Sequence, residues 1–427
     1  MVTSEDVING YSRYIMKSVS DPVVLTRGDG VYLIDKDGKR YLDFSTGYSV
    51  MVLGYGNRRV NDSMIAQMQK LIHCCYYQYY SPPALLLAEK LSAILGANLT
   101  KSFFCTSGTE AVEGAMRLAR KHTRRYEIVS LFRGHHGRSM GAATLAGKWQ
   151  EKKYMGPYVP GVVHAPAPYC YRCNLKHSYP ECGIACAQFV NDLIDHATCN
   201  EVGALFIEPV MTDVVIVPPD EYLLEISKIC RERDMLLVVD EVQTGFGRTG
   251  KAFAFQHWNL EPDIVILGKA IGAGLPLGAY VATDEVASSY EFLDFASSIG
   301  GNPVACAGGL EVIRILEEQG LAEHVRKLGD YFIRRLKELA ERHNCVGEIR
   351  GKGFIVGVEL VRDKKTKEPA HKEALEAKNL LRESGLLVVL NESTLRILPP
   401  LIAEQQHVDS AIELIDRSLG QIDRSLR

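Results

Sequence analysis

Short apolar runs that alternate with helical stretches constrain this chain more than any other feature of its sequence. Each run is bounded by turn residues, and none shows the strict alternation of a half-exposed strand: Ser102–Cys105, Glu127–Phe132, Ala204–Ile207, Leu236–Val239, Ile264–Leu267 and Tyr280–Ala282. Strands that are buried on both faces of a parallel sheet are apolar throughout. The pattern therefore predicts an α/β fold with a mostly parallel central sheet flanked by helices.

The length of the chain, 427 residues, exceeds what one compact core normally holds. A helix is expected at Glu5–Ser18, and apolar segments around Asp37-Gly38 predict a β-hairpin. Beyond residue 305, a long charged helix at Leu321–His343 and short strands predict a smaller α+β domain. We expect three parts: 1–55, the N-terminal helix and hairpin packing with the small domain; 56–305, the large α/β domain, with a Cys-rich insertion at 170–186; and 306–427, the small domain.

Charge and hydropathy exclude several classes of partner. The net charge is −3 and charged residues make up 24% of the chain, so neither nucleic acid nor an anionic membrane is expected as a partner. No run of about 18 apolar residues predicts a membrane span. The first residues, Met1–Gly10, lack the basic character of a signal peptide. We expect a cytoplasmic protein.

Three chemically distinctive residues stand at or just beyond the ends of predicted strands: Glu208, Asp240 and Lys269. Open α/β sheets bind ligands at this edge, so we expect these side chains to lie together. Lys269 sits in an apolar, glycine-rich segment, where desolvation lowers a lysine pKa and allows the neutral amine to condense with an aldehyde. Asp240 follows four apolar residues, and a buried carboxylate needs a cationic partner, for which a protonated pyridine nitrogen is one candidate.

The segment Asp240–Gly250, followed by Gly268-Lys269, resembles the class III (omega-type) aminotransferases, which depend on pyridoxal 5'-phosphate (PLP) and have fold type I. The similarity extends from Tyr41–Phe44 to Leu395–Leu401. The resemblance implies ping-pong transfer of an amino group between an amino acid, with an α- or ω-amine, and a 2-oxo acid. It also implies a homodimer with shared active sites, or a higher oligomer.

The resemblance assigns roles to individual residues. Lys269 would be the Schiff-base lysine and proton carrier, and Asp240 would pair with the pyridine nitrogen. Gln243 would hydrogen-bond the ring hydroxyl, and Ser298, where the family usually has threonine, would reach the phosphate of the neighbouring subunit. The implied cofactor-binding residues are Ser107, Gly108, Thr109, His135, Glu208, Asp240, Gln243, Lys269 and Ser298.

At the predicted phosphate-binding turn, a physical argument supports the role that the resemblance implies. At His135, the sequence departs from the family. Ser107-Gly108-Thr109 opens a predicted helix, Thr109–Lys121, whose N-terminal amides and dipole favour a phosphate independently of any family. His135 stands where the family stacks an aromatic ring on the coenzyme. Imidazole can stack, but it also titrates near neutrality.

Substrate contacts are expected from Tyr48, Arg138 and Arg396. Arg396 resembles the arginine that forks onto the α-carboxylate, a task for which bidentate geometry is needed. Arg138 matches an arginine that some relatives use for a distal carboxylate, and others for structural pairing. Asp213, five residues after Glu208, stands where some omega-type enzymes carry a glutamate that masks the C-terminal arginine, and its shorter side chain weakens or removes that gate.

Two other reactions are compatible with the same coenzyme site. An amino-acid racemase or epimerase of the same family shares the lysine, the aspartate and the fold. A decarboxylating aminotransferase is disfavoured because Tyr48 replaces the glutamine that dialkylglycine decarboxylases carry at this position.

The Cys-rich insertion contains Cys170, Cys173, Cys182 and Cys186, with His177 between the pairs. The spacing is compatible with a tetrahedral structural zinc site, but free thiols, disulfides and an iron–sulfur cluster remain alternatives.

Overall fold

The computed structural model describes residues 3–96 and 98–426. Its strands are β1 (Leu25–Asp29), β2 (Tyr32–Asp35), β3 (Arg40–Asp43), β4 (Leu99–Cys105), β5 (Glu127–Leu131), β6 (Val162–Ala165), β7 (Val202–Ile207), β8 (Leu236–Asp240), β9 (Ile264–Leu267), β10 (Gly278–Thr283), β11 (Val346–Lys352), β12 (Ile355–Asp363), β13 (Glu368–Pro369), β14 (Leu386–Leu387), β15 (Val389–Asn391) and β16 (Thr394–Ile397).

Its helices are α1 (Ser4–Tyr14), α2 (Thr46–Ser49), α3 (Arg58–Lys70), α4 (Pro82–Leu95), α5 (Gly108–Thr123), α6 (Met140–Leu145), α7 (Ala185–Ala197), α8 (Asp220–Glu232), α9 (Asp284–Ala287), α10 (Pro303–Glu318), α11 (Leu321–Arg342), α12 (His371–Glu383) and α13 (Gln405–Ser425). None of the helices within the described residues is long and apolar enough to cross a lipid bilayer.

A seven-stranded sheet forms the centre of the molecule, in the order β4-β10-β9-β8-β7-β5-β6. The five strands from β9 to β6 are parallel, and β10 pairs antiparallel with both β9 and β4. Nearly every residue of these parallel strands is buried, as expected for a sheet that helices cover on both faces. The predicted α/β fold with a mostly parallel sheet is therefore confirmed.

Two smaller sheets lie outside the central one. The N-terminal strands β1, β2 and β3 pair with β14 from the C-terminal part of the chain, and β11, β12, β16 and β15 form an antiparallel sheet. The parallel pairing of Leu42 with Leu386 joins the two ends of the chain. The boundaries proposed at residues 55 and 305 stay a prediction.

The largest differences between expectation and structure are in edge strands. The sequence pattern did not predict β1, which is mostly exposed, or β6, which is only four residues long and lies at the edge of the central sheet. Helix α1 is capped by Thr3, whose side chain accepts from the Asp6 amide, but it ends at Tyr14 rather than at Ser18.

Candidate active site

The three strand-end residues lie at one edge of the central sheet. Glu208 follows β7, Asp240 ends β8, and Lys269 follows β9 after one glycine. Because β7, β8 and β9 are adjacent and parallel, their carboxyl ends meet. The sheet thus brings together side chains that are separated by about thirty residues in sequence.

Lys269 begins a short 3-10 turn with a left-handed backbone, at a φ of 51°. Its ammonium donates to Oε1 of Gln243 at 2.5 Å. Desolvation, followed by the positive charge of Arg396, lowers the pKa of Lys269 to about 7, although Asp240 and Glu208 oppose that shift. An amine with this pKa is neutral in a large fraction of molecules near neutral pH, which is what attack on an aldehyde requires.

Asp240 is only 4% exposed, and His136 is its principal side-chain partner. The distance from Nδ1 of His136 to Oδ2 of Asp240 is 2.8 Å, and the amide of Val242 donates to Oδ1 at 3.0 Å. Burial on its own would lower the pKa of His136, but the hydrogen bond and the charge of Asp240 raise it overall. His136 thereby orients the carboxylate.

Glu208 and His135 are linked through the backbone. The amide of His135 donates to Oε1 of Glu208 at 2.9 Å, while Thr212 donates its amide and hydroxyl to Oε2. The imidazole of His135 lies 3.0 Å from both carboxylate oxygens of Glu151. The carboxylate of Glu151 therefore fixes the orientation of the ring at the stacking position.

The N-terminus of α5 is closely packed against the site. Ser107 is its N-cap and accepts from the amide of Glu110 at 3.3 Å. A Cβ added at Gly108 would lie 2.9 Å from Cγ2 of Val242, so only glycine fits there without a shift. Thr109 accepts from the amide of Ser139 at 3.2 Å. A sixteen-residue helix thus points its free amides toward the sheet edge.

Tyr48 lies between Lys269 and Arg396. Its ring centroid is 6.0 Å from Nζ of Lys269 and 5.2 Å from Cζ of Arg396. The four residues Thr46–Ser49 all have positive φ angles, between 52° and 66°, so this turn is left-handed. The ring remains 49% exposed.

Arg396 is a buried cation without an acid partner among the described residues. It is 2% exposed, and neither Nε nor Nη2 makes a hydrogen bond. Burial lowers its pKa, and the nearby Tyr48 and Glu208 only partly offset this effect. An arginine in this state offers a bidentate site for a carboxylate.

The acid at the possible gate position, Asp213, contacts Lys148 and Asn391 instead. Its carboxylate forms a buried ion pair with Nζ of Lys148, and Nδ2 of Asn391 donates to the carboxylate and, at 3.0 Å, to the main-chain oxygen of Asp213. The neighbouring cavity has a volume of about 490 Å³, and its lining includes Arg138 and Lys148. Arg138 itself is exposed.

Ser298 differs from the other predicted cofactor-binding residues in how little of its side chain the rest of the chain covers. It is exposed, and it follows buried Ser297 shortly before α10.

The structure does not support the zinc site expected at Cys170, Cys173, Cys182 and Cys186. Within residues 3–96 and 98–426, no group of three or more Cys, His, Asp or Glu side chains could hold a metal ion. All four thiols are free.

Sequence reasoning did not identify several residues that orient the site. His136 could have been found, because it directly follows His135 and precedes Gly137. Glu151, Lys148 and Asn391 carried no signal, since they are distant in sequence from the groups that they contact.

Comparison with known proteins agrees with this arrangement. The family model described as "Aminotransferase class-III" matches residues 14–419. A leucine/methionine racemase from Thermococcus litoralis is 34% identical over 425 residues, which cover 98% of this chain and 96% of the relative. An acetylornithine aminotransferase from Methanocaldococcus jannaschii is 35% identical over 414 residues, which cover 94% and 95% of the two chains.

A solved structure is also closely similar. An amine transaminase from an uncultivated Pseudomonas species, in its PLP-bound form, superposes with a TM-score of 0.91 at 29% identity. The match covers 96% of this chain and 98% of the other.

Proposed function

We infer that this chain, which belongs to the class III aminotransferase family, moves an amino group from an amino acid to a 2-oxo acid in a ping-pong reaction that depends on PLP. The observation that carries the assignment is the partly buried Lys269, with a pKa of about 7, at the same sheet edge as Asp240. Membership of the family supports both the enzyme class and the coenzyme.

The residues of the site fit PLP. Nε2 of Gln243 is buried without a partner and can donate to the ring hydroxyl, and the N-terminus of α5 can take the phosphate. Asp240, oriented by His136, would pair with the pyridine nitrogen. When bound, the coenzyme supplies an electron sink that stabilises negative charge on the substrate carbon.

Lys269 would perform the proton transfer. Its Nζ lies at the centre of the site, and a pKa near neutrality suits an amine that must both accept and return a proton. The hydrogen bond to Gln243 positions Nζ, and the ring centroid of Tyr48 lies 6.0 Å from it.

Arg396 would bind the substrate carboxylate, because its guanidinium is buried and lacks an acid partner. Tyr48 would pack against the bound amino acid between Arg396 and Lys269. The exposed Arg138 lines the adjoining cavity and would contact the distal end of the substrate.

A homodimer is part of the proposal. Ser298 is exposed in the single chain, and its hydroxyl would bind the phosphate of the neighbouring subunit's coenzyme. Each active site would then be complete only in the assembly.

A racemase is the second candidate, because a leucine/methionine racemase is 34% identical over nearly the whole chain. Racemisation uses the same coenzyme residues, but it returns the proton to either face of the substrate carbon and consumes no oxo acid.

The test is a screen of amino donors against pyruvate and 2-oxoglutarate, with chiral analysis of the remaining donor. Formation of a new amino acid from the oxo acid supports aminotransfer. Inversion of the donor without consumption of oxo acid would instead identify a racemase.

Substitution of the lysine tests the site assignment. Lys269→Ala should abolish turnover and the absorbance of the lysine-bound coenzyme, whereas Lys251→Ala, at an exposed lysine on the chain surface, should retain both. Turnover at the wild-type rate in Lys269→Ala would refute the role of this lysine.

A further inference from the structure

We propose that a fixed ion pair keeps the carboxylate of Asp213 away from Arg396, which leaves this arginine permanently open to substrate. Lys148 makes the ion pair, and Asn391 holds Asp213 from another direction. The preferred donors are therefore α-amino acids, rather than amines without a carboxylate on the reacting carbon. This inference rests on the proposed function, since it names the donor class of the same site.

The ion pair lies in the protein interior. The side chain of Lys148 is 10% exposed and that of Asp213 is 9% exposed. Separating two charges at such depth is unfavourable, because the carboxylate of Asp213 loses its cation. Lys148 itself also feels the charges of Glu151, Glu392 and Glu208. Nζ of Lys148 and Nδ2 of Asn391 together determine the orientation of the Asp213 carboxylate.

The main chain around Asp213 is also held in place. Met211 and Ile216 exchange two backbone hydrogen bonds, of 3.0 and 2.8 Å, which close the loop. Nε and Nη2 of Arg350 donate to the carbonyl oxygens of Val215 and Val214, both at 2.7 Å. The loop therefore has little freedom to carry Asp213 toward another partner.

Strand register places this ion pair beside Arg396. Arg396 on β16 is opposite Val389 on β15, and Asn391 is two residues further along the same strand. Side chains two residues apart project from the same face of a sheet, so Asn391 is a diagonal neighbour of Arg396, at about 7–8 Å between Cα atoms. Asp213 is thus near enough to compete for Arg396 if it were released.

An unmasked Arg396 disfavours the binding of donors that lack a carboxylate. A substrate carboxylate would satisfy the orphaned Nε and Nη2 of Arg396, whereas an amine would leave both atoms buried and unpaired. A site built around a hydrogen-bonded group rejects analogues that lack it, so we expect a preference of at least about 100-fold.

The test compares two donors that differ only in the carboxylate, leucine and 3-methylbutylamine, on the holoenzyme. Titration of the coenzyme absorbance gives a Kd for each donor, and steady-state assays give kcat and KM. We expect the wild-type enzyme to bind leucine at least about 100-fold more tightly than the amine. Equal affinities would overturn the proposal.

Lys148→Gln removes the cation that holds Asp213. The freed carboxylate then competes for Arg396, so Kd and KM for leucine should rise about tenfold with kcat nearly unchanged. The amine should bind more tightly, because Asp213 then pairs with the guanidinium that the amine leaves unpaired. The double variant Lys148→Gln/Asp213→Asn should restore leucine binding, which a purely structural role of Lys148 would not explain. Failure of this rescue contradicts the proposal.

The matched control is Lys121→Gln, which makes the same substitution in an ion pair with Asp294 near the other end of α5. It should leave the donor preference unchanged. Should Lys148→Gln fail to fold, Asp213→Asn alone decides the matter. Leucine should bind this variant as it binds the wild type, whereas a marked tightening would show that Asp213 had been masking Arg396.

The binding measurement separates this inference from the proposed function. If leucine is preferred but no oxo acid is formed from it, aminotransfer fails and the inference stands. If transfer occurs and both donors bind equally, the inference alone is refuted.

Discussion

At the scale of single residues, Lys269 shows how its surroundings set its chemistry. A lysine on the surface would be almost fully charged at neutral pH. Desolvation and the nearby Arg396 bring its pKa to about 7, and Asp240 prevents a still larger decrease. The same residue type elsewhere in this chain, such as exposed Lys251, lacks this environment.

This shift predicts a pH-dependent stability for the coenzyme-free protein. The unfolded lysine binds a proton below about 10.5 and the folded one only below about 7, so the unfolded state holds more protons between these values. The free energy of unfolding of the wild type, relative to Lys269→Met, should therefore rise as the pH increases from 7 to 10.5. Urea denaturation of both proteins across this pH range measures the difference in their free energies of unfolding. A difference that does not change with pH would contradict the lowered pKa of Lys269.

His136 predicts a dependence of the opposite sign. Its pKa is raised by the hydrogen bond and charge of Asp240, which outweigh burial, so the stabilisation is complete below about 6.5 and is lost as the pH rises through the raised value. His136→Phe should reduce the free energy of unfolding by about 1–3 kcal/mol at low pH and by less at high pH. His136→Asn, which keeps a donor, should lose less; equal losses would exclude the hydrogen bond as the cause.

At the scale of secondary-structure elements, the N-terminus of α5 depends on a close approach to the loop after β8. Gly108 lies against Val242 and against Gly268, which precedes Lys269. The N-terminus of α5 and the segment that carries Lys269 therefore pack directly against each other at Gly108. A side chain at Gly108 would separate them.

Gly108→Ala tests this packing. Its Cβ would come within 2.9 Å of Val242, and overpacking of this kind costs about 1–3 kcal/mol. We expect the affinity of the apoenzyme for PLP, measured by fluorescence titration, to fall about tenfold or more. Gly108→Ala/Val242→Ala should recover most of it, and a double variant as weak as the single one would point to another cause.

At the scale of the whole molecule, the active site is expected to need a second chain. Ser298 is exposed in one chain, and only a neighbouring subunit would place its hydroxyl on a phosphate. Within one chain, the N-terminal strands and the C-terminal part meet in one sheet through Leu42 and Leu386.

Mixing of two inactive variants tests shared sites. Ser298→Asp would place a negative charge near the phosphate and should abolish activity, as Lys269→Ala does at its own site. Refolding the two together should restore activity, because in a mixed dimer one site receives intact Lys269 from one chain and intact Ser298 from the other. Absence of any recovery, with dimers present in sedimentation, would show that the sites are not shared.

The sequence by itself determined the elements that depend on local pattern. Apolar runs such as Ile264–Leu267 matched their strands, and the candidate site residues Asp240 and Lys269 were found because strand ends are recognisable without knowledge of neighbours. A mostly exposed strand such as β1 was missed, since its residues bury too little apolar surface to produce a pattern.

Only the tertiary structure decided which charges face each other. The sequence could place Asp213 in a gate position, but its partners Lys148 and Asn391 come from distant segments that packing brings together. The four cysteines likewise have a metal-like spacing, yet their folded arrangement offers no metal site among the described residues. Spacing along a chain fixes local geometry, whereas ion pairing and ligation depend on distances that only the folded backbone sets.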